Sequence, residues 1–270
     1  GTPAEEENGA KIPMASAGVF DDLDLAVMMH SWSGGASCPD MDVLSLRCYV
    51  VEFYGREAHA VAGPWAGASA LAAARKFLDL VDARRESFTR DVRFNAVLLE
   101  GGSFPNTIPG YAKIRLEFRT DSRGKLAEMD RIVRLCAEGA AMAMDCTVTF
   151  TPGLLDFDDM VRVDALEAET ARLLAENGET VGEILPASGS SDLGNVSYRC
   201  PSIQPLISIT DEALALHTEK LRDATLLPAA HRAMERGACT LAGLALRVLN
   251  DEAFRVAVRS NFQRALKEKG

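Results

Sequence analysis

No apolar run in this chain approaches the roughly 18 residues that a membrane-spanning helix requires, and no signal peptide is visible. A membrane partner is therefore not expected. Basic residues are in short supply, 29 Lys and Arg against 39 Asp and Glu, for a net charge of −10. That balance argues against nucleic-acid binding, which needs clustered cations on the phosphate backbone. Six cysteines (Cys38, Cys48, Cys136, Cys146, Cys200, Cys239) occur without a CxxC or any other metal-binding spacing. They read as free thiols of a cytoplasmic protein rather than a disulfide framework or a zinc knuckle. Histidine is scarce as well, four in all, so each can be weighed by itself.

What remains is an ordinary globular composition, 47% hydrophobic and 25% charged, in 270 residues, long enough for two domains. LDLAVMMH (residues 23–30) is a short unbroken apolar run, as expected of a strand buried on both faces. The Gly-, Ser- and Pro-rich SWSGGASCPDMD that follows marks a boundary. LSLRCYVVEFYG then reads as a strand and GASALAAARKFLDLVDAR as a helix. VRFNAVLLEGG and YAKIRLEFRT read as two strands, GKLAEMDRIVRLCAEGAAMAM as a second helix and CTVTFTPG as a last strand. The order β-α-β-β-α-β over residues 44–152 is that of a ferredoxin-like sandwich. Beyond Gly153 come an amphipathic helix ending near Gly178, the strand PSIQPLISI and a tail of two helices. Strands alternating with helices suggest an α/β domain. The expected organisation is an α/β domain of residues 1–43 and 153–270 with residues 44–152 inserted into it.

Three adjacent carboxylates, Glu5, Glu6 and Glu7, stand near the first residue. They are either a solvated acidic segment or part of a metal site in which one Glu ligates and its neighbour moves a proton. His30 closes the first apolar run, and His217 follows the strand PSIQPLISI. Ligands in α/β sheets gather beyond the carboxyl ends of strands, and imidazole with carboxylate suits Zn²⁺ or Mn²⁺. His59 lies in a loop of the inserted domain, flanked by Gly55, Gly63 and Pro64. His231 reads as a helix-surface residue.

Taken in order, PAEE, GVFDDLDLAVMMH, GREAHA, NTIPGYAKIRLEFR, SGSSDLG and LALHTE resemble segments of one family. It is the co-catalytic metallopeptidase family that includes glutamate carboxypeptidase, aminoacylase and amidohydrolases of acyl- and aminobenzoyl-amino acids. PAEE and the histidine after the first strand lean toward the aminobenzoyl-glutamate hydrolase-like branch. The resemblance implies an α/β metallopeptidase-like catalytic domain with an inserted ferredoxin-like lid that pairs two subunits. It implies Glu5 as general base, and Glu6, His30 and His217 as ligands of two divalent ions, Zn or Mn. It further implies that His59 donates to the oxyanion in the partner's site, and that Asn106 and Arg119 contact the substrate, Arg119 through its free carboxylate. The implied reaction is hydrolysis of the amide bond of an N-acyl- or aminobenzoyl-amino acid or dipeptide.

The family's remaining metal ligands lie upstream of the Glu-Glu pair, and no His-x-Asp or Cys-x-His occurs here. The catalytic domain is therefore expected to be incomplete, with weak or absent metal in this chain. The alternative to an amidohydrolase is an inactive fragment that only dimerises. Dimerisation has two supports in the sequence: the lid sheet has edges that need cover, and GASALAAARKF offers a small-residue helix face for a symmetry mate.

Overall fold

The computed structural model describes Thr2 and residues 9–269 and divides the chain into two compact units, Ser45–Phe157 and the segments flanking it. Glu5, Glu6 and Glu7 lie outside the described residues.

The first flanking segment holds α1 (Lys11–Ser16) and two short strands, β1 (Ala26–Val27) and β2 (His30–Trp32). The expected single strand ending at His30 is thus two, and His30 opens the second. Its cause lies in the partner, the segment of PSIQPLISI, which pairs in parallel with both strands. One row of bonds is continuous, from the amides of Ala26, Met28 and His30 to the carbonyls of Pro201, Ile203 and Pro205. The other row breaks at Pro205, which has no N–H to give.

The inserted unit runs β3 (Ser45–Tyr54), β4 (Ala58–His59), α2 (Ala70–Arg84), β5 (Arg93–Glu100), β6 (Thr107–Ile108), β7 (Tyr111–Thr120), α3 (Arg123–Ala143) and β8 (Thr147–Pro152). Its four long strands form an antiparallel sheet in the order β5-β7-β3-β8, the arrangement of a ferredoxin-like sandwich. Period-two alternation explains the packing. Tyr49, Val51 and Phe53 of β3 and Ala112, Ile114, Leu116 and Phe118 of β7 join the helices in one core. Ser69 and Ser122 cap the two helices by accepting from Ala72 and Lys125 amides, satisfying donors the first turn cannot. The small-residue face of α2 does not reach the surface: Ala70, Ala73 and Ala74 are fully buried against the unit's own sheet. The expectation that this face meets a symmetry mate is therefore wrong. Small side chains are there because helix and sheet approach closely. The ribbon of β4 and β6 was not foreseen, since two-residue strands carry no periodicity.

The second flanking segment contains α4 (Asp164–Glu176), α5 (Leu193–Ser197), β9 (Ser202–Ile203), β10 (Leu206–Ser208), α6 (Glu219–Ala224), α7 (Pro228–Asn250) and α8 (Glu252–Lys269). Gly178, at φ +85°, ends α4 as a left-handed residue beyond the C-cap. β9 pairs with β1 and β10 with β2, while α4, α7 and α8 pack around Leu166, Leu173, Leu244, Val258 and Phe262. The fold class is α/β, as expected. The six cysteines are free thiols, and no described helix is long and apolar enough to cross a membrane.

Candidate functional site

Two histidines are held in opposite tautomers by their backbone neighbours. His30 places Nδ1 2.7 Å from the carbonyl of Ser31. A carbonyl only accepts, so Nδ1 carries a proton, and in the neutral ring Nε2 keeps its lone pair, as a metal-ligating imidazole requires. His59 is the reverse. Its Nδ1 accepts from the amides of Val61 at 3.2 Å and Ala62 at 3.1 Å, so in the neutral ring Nε2 bears the proton and donates.

His217 follows β10 by nine residues and has φ +59°, a left-handed conformation uncommon for a side chain with a Cβ. Its loop is fastened to the one after β2. Ser33 Oγ donates to the Leu214 carbonyl at 2.9 Å and accepts from the Leu214 amide at 3.0 Å. Gly34 adds a bond to Thr210 O. His30 and His217 each stand three residues from this clasp, so the structure joins the segments that bear them. Among the described residues no three His, Cys, Asp or Glu converge as a metal-holding group. His30 is prepared as a donor, but the described residues do not by themselves complete a metal shell.

Lys11, the first residue of α1, fixes the start of the described chain. Its amide and Nζ both bond Asp192 of the SGSSDLG loop, at 3.1 and 2.7 Å, and Asp192 is fully buried. Neither residue was singled out from the sequence, because nothing in local spacing pairs positions 181 apart. The same loop needs its glycine: a Cβ on Gly194 would stand 2.0 Å from the Asp158 carbonyl.

In the inserted unit, His59 pairs with Thr107 across the β4–β6 ribbon, and the Ala60 amide donates to the Asn106 carbonyl at 2.9 Å. The ribbon therefore brings His59 and Asn106 side by side, both exposed. Gly55 lets it start. The Gly55 amide donates to Gly110 O at 2.7 Å, and a Cβ there would lie 2.1 Å from the Ala68 carbonyl.

Arg119 is not at this end. It is eight residues along β7 from Tyr111, ~27 Å at about 3.4 Å per residue, and the ribbon joins the sheet beside Gly110. Its Nε donates to Glu117 at 3.2 Å. Burial pushes the neighbouring Cys48 thiol up, with Glu117 adding to the rise and Arg115 and Arg119 opposing it. Cys48 shares its face with those three groups.

Residues 45–141 match the family model described as a peptidase dimerisation domain. The Xaa-Arg dipeptidase of Mus musculus is 34% identical over 277 aligned positions, which cover 99% of this chain and 62% of that protein. The chain thus spans about three fifths of the length of that relative. Two solved structures share the fold. The aminobenzoyl-glutamate utilization protein of Klebsiella pneumoniae superposes with TM-score 0.69 at 21% identity, over 89% of this chain and 59% of that one. A dinuclear metal-binding peptidase of Bacillus subtilis from family M20 gives 0.65 at 16% identity, over 92% of this chain and 63% of that one. The inserted unit thus belongs to the peptidase dimerisation domain family, and the chain over nearly its whole length is similar to peptidases and amidohydrolases of family M20.

Proposed function

We propose that this chain serves a metal-dependent hydrolase that cleaves the amide bond of N-acyl- or aminobenzoyl-amino acids, or of dipeptides, with a free carboxylate. The observation that carries the reading is the opposed pair of histidine tautomers. His30 offers a lone pair, suited to a cation, and His59 offers an N–H, suited to an oxygen that gains negative charge. The relatives agree in class, since an Xaa-Arg dipeptidase and a p-aminobenzoyl-glutamate hydrolase subunit both act on amides of amino acids. No observation favours an inert dimerising module.

In this reading His30, His217 and Glu6 would contribute ligands to divalent ions, Zn or Mn. Such ions lower the pKa of bound water toward about 7 and polarise the scissile carbonyl. Glu5 moves the proton from the attacking water to the leaving nitrogen. Asn106 adds a polar contact beside His59. Arg119 seats the substrate carboxylate, for which a planar guanidinium is suited.

The length of β7 supports a two-fold dimer. Arg119 lies ~27 Å along it from Tyr111, beside which the ribbon that bears His59 joins the sheet. That is more than a small amide spans, so in this reading the two residues of one lid serve different sites, His59 in the partner's. The edge strand β5 is the surface for this pairing. Val97, Leu98 and Leu99 are 61%, 45% and 48% exposed there, beside an unpaired row of backbone groups.

The test uses the protein as encoded, loaded with Zn or Mn and assayed for amino acid release from N-acyl-amino acids. Glu5→Gln should lower kcat by orders of magnitude while metal content is unchanged. Near-normal turnover in that variant would remove Glu5 as the base.

A further inference from the structure

The sheet register sets Arg93, the first residue of β5, directly opposite Arg119 on β7. Directly opposed residues of an antiparallel pair share a face and have Cα atoms roughly 4.5–5.5 Å apart. Arg115 lies on the same face, so this stretch carries three guanidiniums against the single carboxylate of Glu117, in a chain whose net charge is −10. Like charges directly across a sheet destabilise it. A bound anion would turn that repulsion into a shared attraction.

The donors of Arg93 are arranged for this. Its Nη1 donates to the carbonyls of Arg90 at 2.5 Å and Val92 at 3.1 Å, which anchors the guanidinium at the head of β5. Nε and Nη2 have no partner among the described residues. Arg119 gives only Nε to Glu117, leaving both terminal nitrogens without one. A carboxylate has two oxygens with about four lone-pair directions and accepts from two guanidiniums at once.

We propose that Arg93 is the second arm of the carboxylate seat, so that the opposed guanidiniums of Arg93 and Arg119 together hold the free α-carboxylate of the amide substrate. This rests on the hydrolase reading and on Arg119 as the first arm. Arg93 does not touch the reacting atoms; it fixes the end of the substrate from which the scissile bond is positioned.

The experiment compares an N-acyl-amino acid with its carboxamide as substrates for the encoded protein and for Arg93→Gln, Arg93→Lys, Arg119→Gln and the Arg93→Gln/Arg119→Gln pair. A hydrogen bond to a charged group is worth enough for a roughly 10- to 100-fold effect. Arg93→Gln should raise KM for the acid by that factor, with kcat and the carboxamide little changed. Arg93→Lys should recover part of the loss, and the double variant should lose less than the two single losses combined. An unchanged KM for the acid, or equal losses on acid and carboxamide, overturns the seat. If the encoded protein hydrolyses no acyl-amino acid, the hydrolase reading fails separately. The seat is then read by titrating N-acetyl-amino acid while following arginine Nε–H signals by NMR. Saturable shifts lost in Arg93→Gln uphold it, and absent or unaffected shifts overturn it.

Discussion

Asp40 is a carboxylate with a backbone-held oxygen and no cation bonded to it among the described residues. It is fully buried; Oδ1 accepts from the amides of Met41 at 2.8 Å and Gln204 at 2.9 Å. Its Oδ2 has no partner, and neither does the buried carboxamide of Gln204. Burial outweighs the two amide bonds and raises its pKa to about 7. A carboxyl raised on folding binds its proton more tightly in the native state. Its stabilising contribution is complete below the unfolded pKa near 3.8 and is lost as pH rises through about 7. Asp40→Asn keeps the acceptor and removes the charge. The variant should lose this slope and be more stable than the parent at pH 8, by on the order of 4 kcal/mol at most. Denaturant unfolding at pH 5 and pH 8 reads the result. Equal pH slopes in parent and variant would show that Asp40 does not titrate in this window. The histidines show what was legible at this scale. His30, His59 and His217 stand out as candidate site residues by residue type and neighbouring motif. Which nitrogen His30 and His59 present does not show in the sequence, because it depends on backbone atoms placed by the fold, Ser31 O and the Val61 and Ala62 amides.

At the scale of elements, the long strands and helices of the lid could be read directly, because alternation and helical spacing repeat often enough in ten to twenty residues. The short pieces could not. β4 and β6 are two residues each, and they exist because Gly55 lets the chain pass Ala68 at backbone contact. Arg56 and Ala68 exchange two bonds of 2.9 Å there, just before His59. Gly55→Ala would push a methyl to 2.1 Å from the Ala68 carbonyl, so backbone must move. The methyl would also meet Cys146 Sγ at 3.0 Å, at the margin of the core, whose centre at Phe53, Phe77 and Phe118 it does not contact. The expected outcome is a folded lid with a displaced ribbon: Tm lowered modestly, and activity lowered at least 10-fold through the misplaced His59 donor. A variant that keeps full activity, or that fails to fold at all, contradicts the assignment of Gly55 to the ribbon. β1 and β2 teach the complementary lesson. Their apolar run was plain in the sequence, but the break between them belongs to Pro205, a residue 175 positions beyond His30. The Arg93–Arg119 pairing was hidden for the same reason, since both strands were legible and their register was not.

For the whole molecule the decisive length is that of β7 within a single lid, with the ribbon that bears His59 at one end and Arg119 near the other. If each substrate needs both, two lids must cooperate, and the exposed Val97, Leu98 and Leu99 of β5 give the edge along which they pair. Leu99→Lys places a charge on that edge in the manner by which natural edge strands avoid pairing. It should shift the encoded protein from dimer to monomer in sedimentation and lower activity in parallel. The stricter test mixes two variants that are each inactive, His59→Ala and Glu5→Gln. In a heterodimer, one site receives Glu5 from the first variant's own chain and His59 from the second, so it is whole; the other site lacks both. With random exchange about half of the dimers are mixed, and each has one of two sites intact. Activity should therefore return to roughly a quarter of the parent's per site, at a rate set by subunit exchange. Exchange is followed independently by mass-tagging one variant. Return of activity without exchange would mean that one variant was never inactive. A mixture that exchanges fully and stays dead would place His59 in its own subunit's site or outside catalysis altogether. The lid would then join subunits without completing their sites.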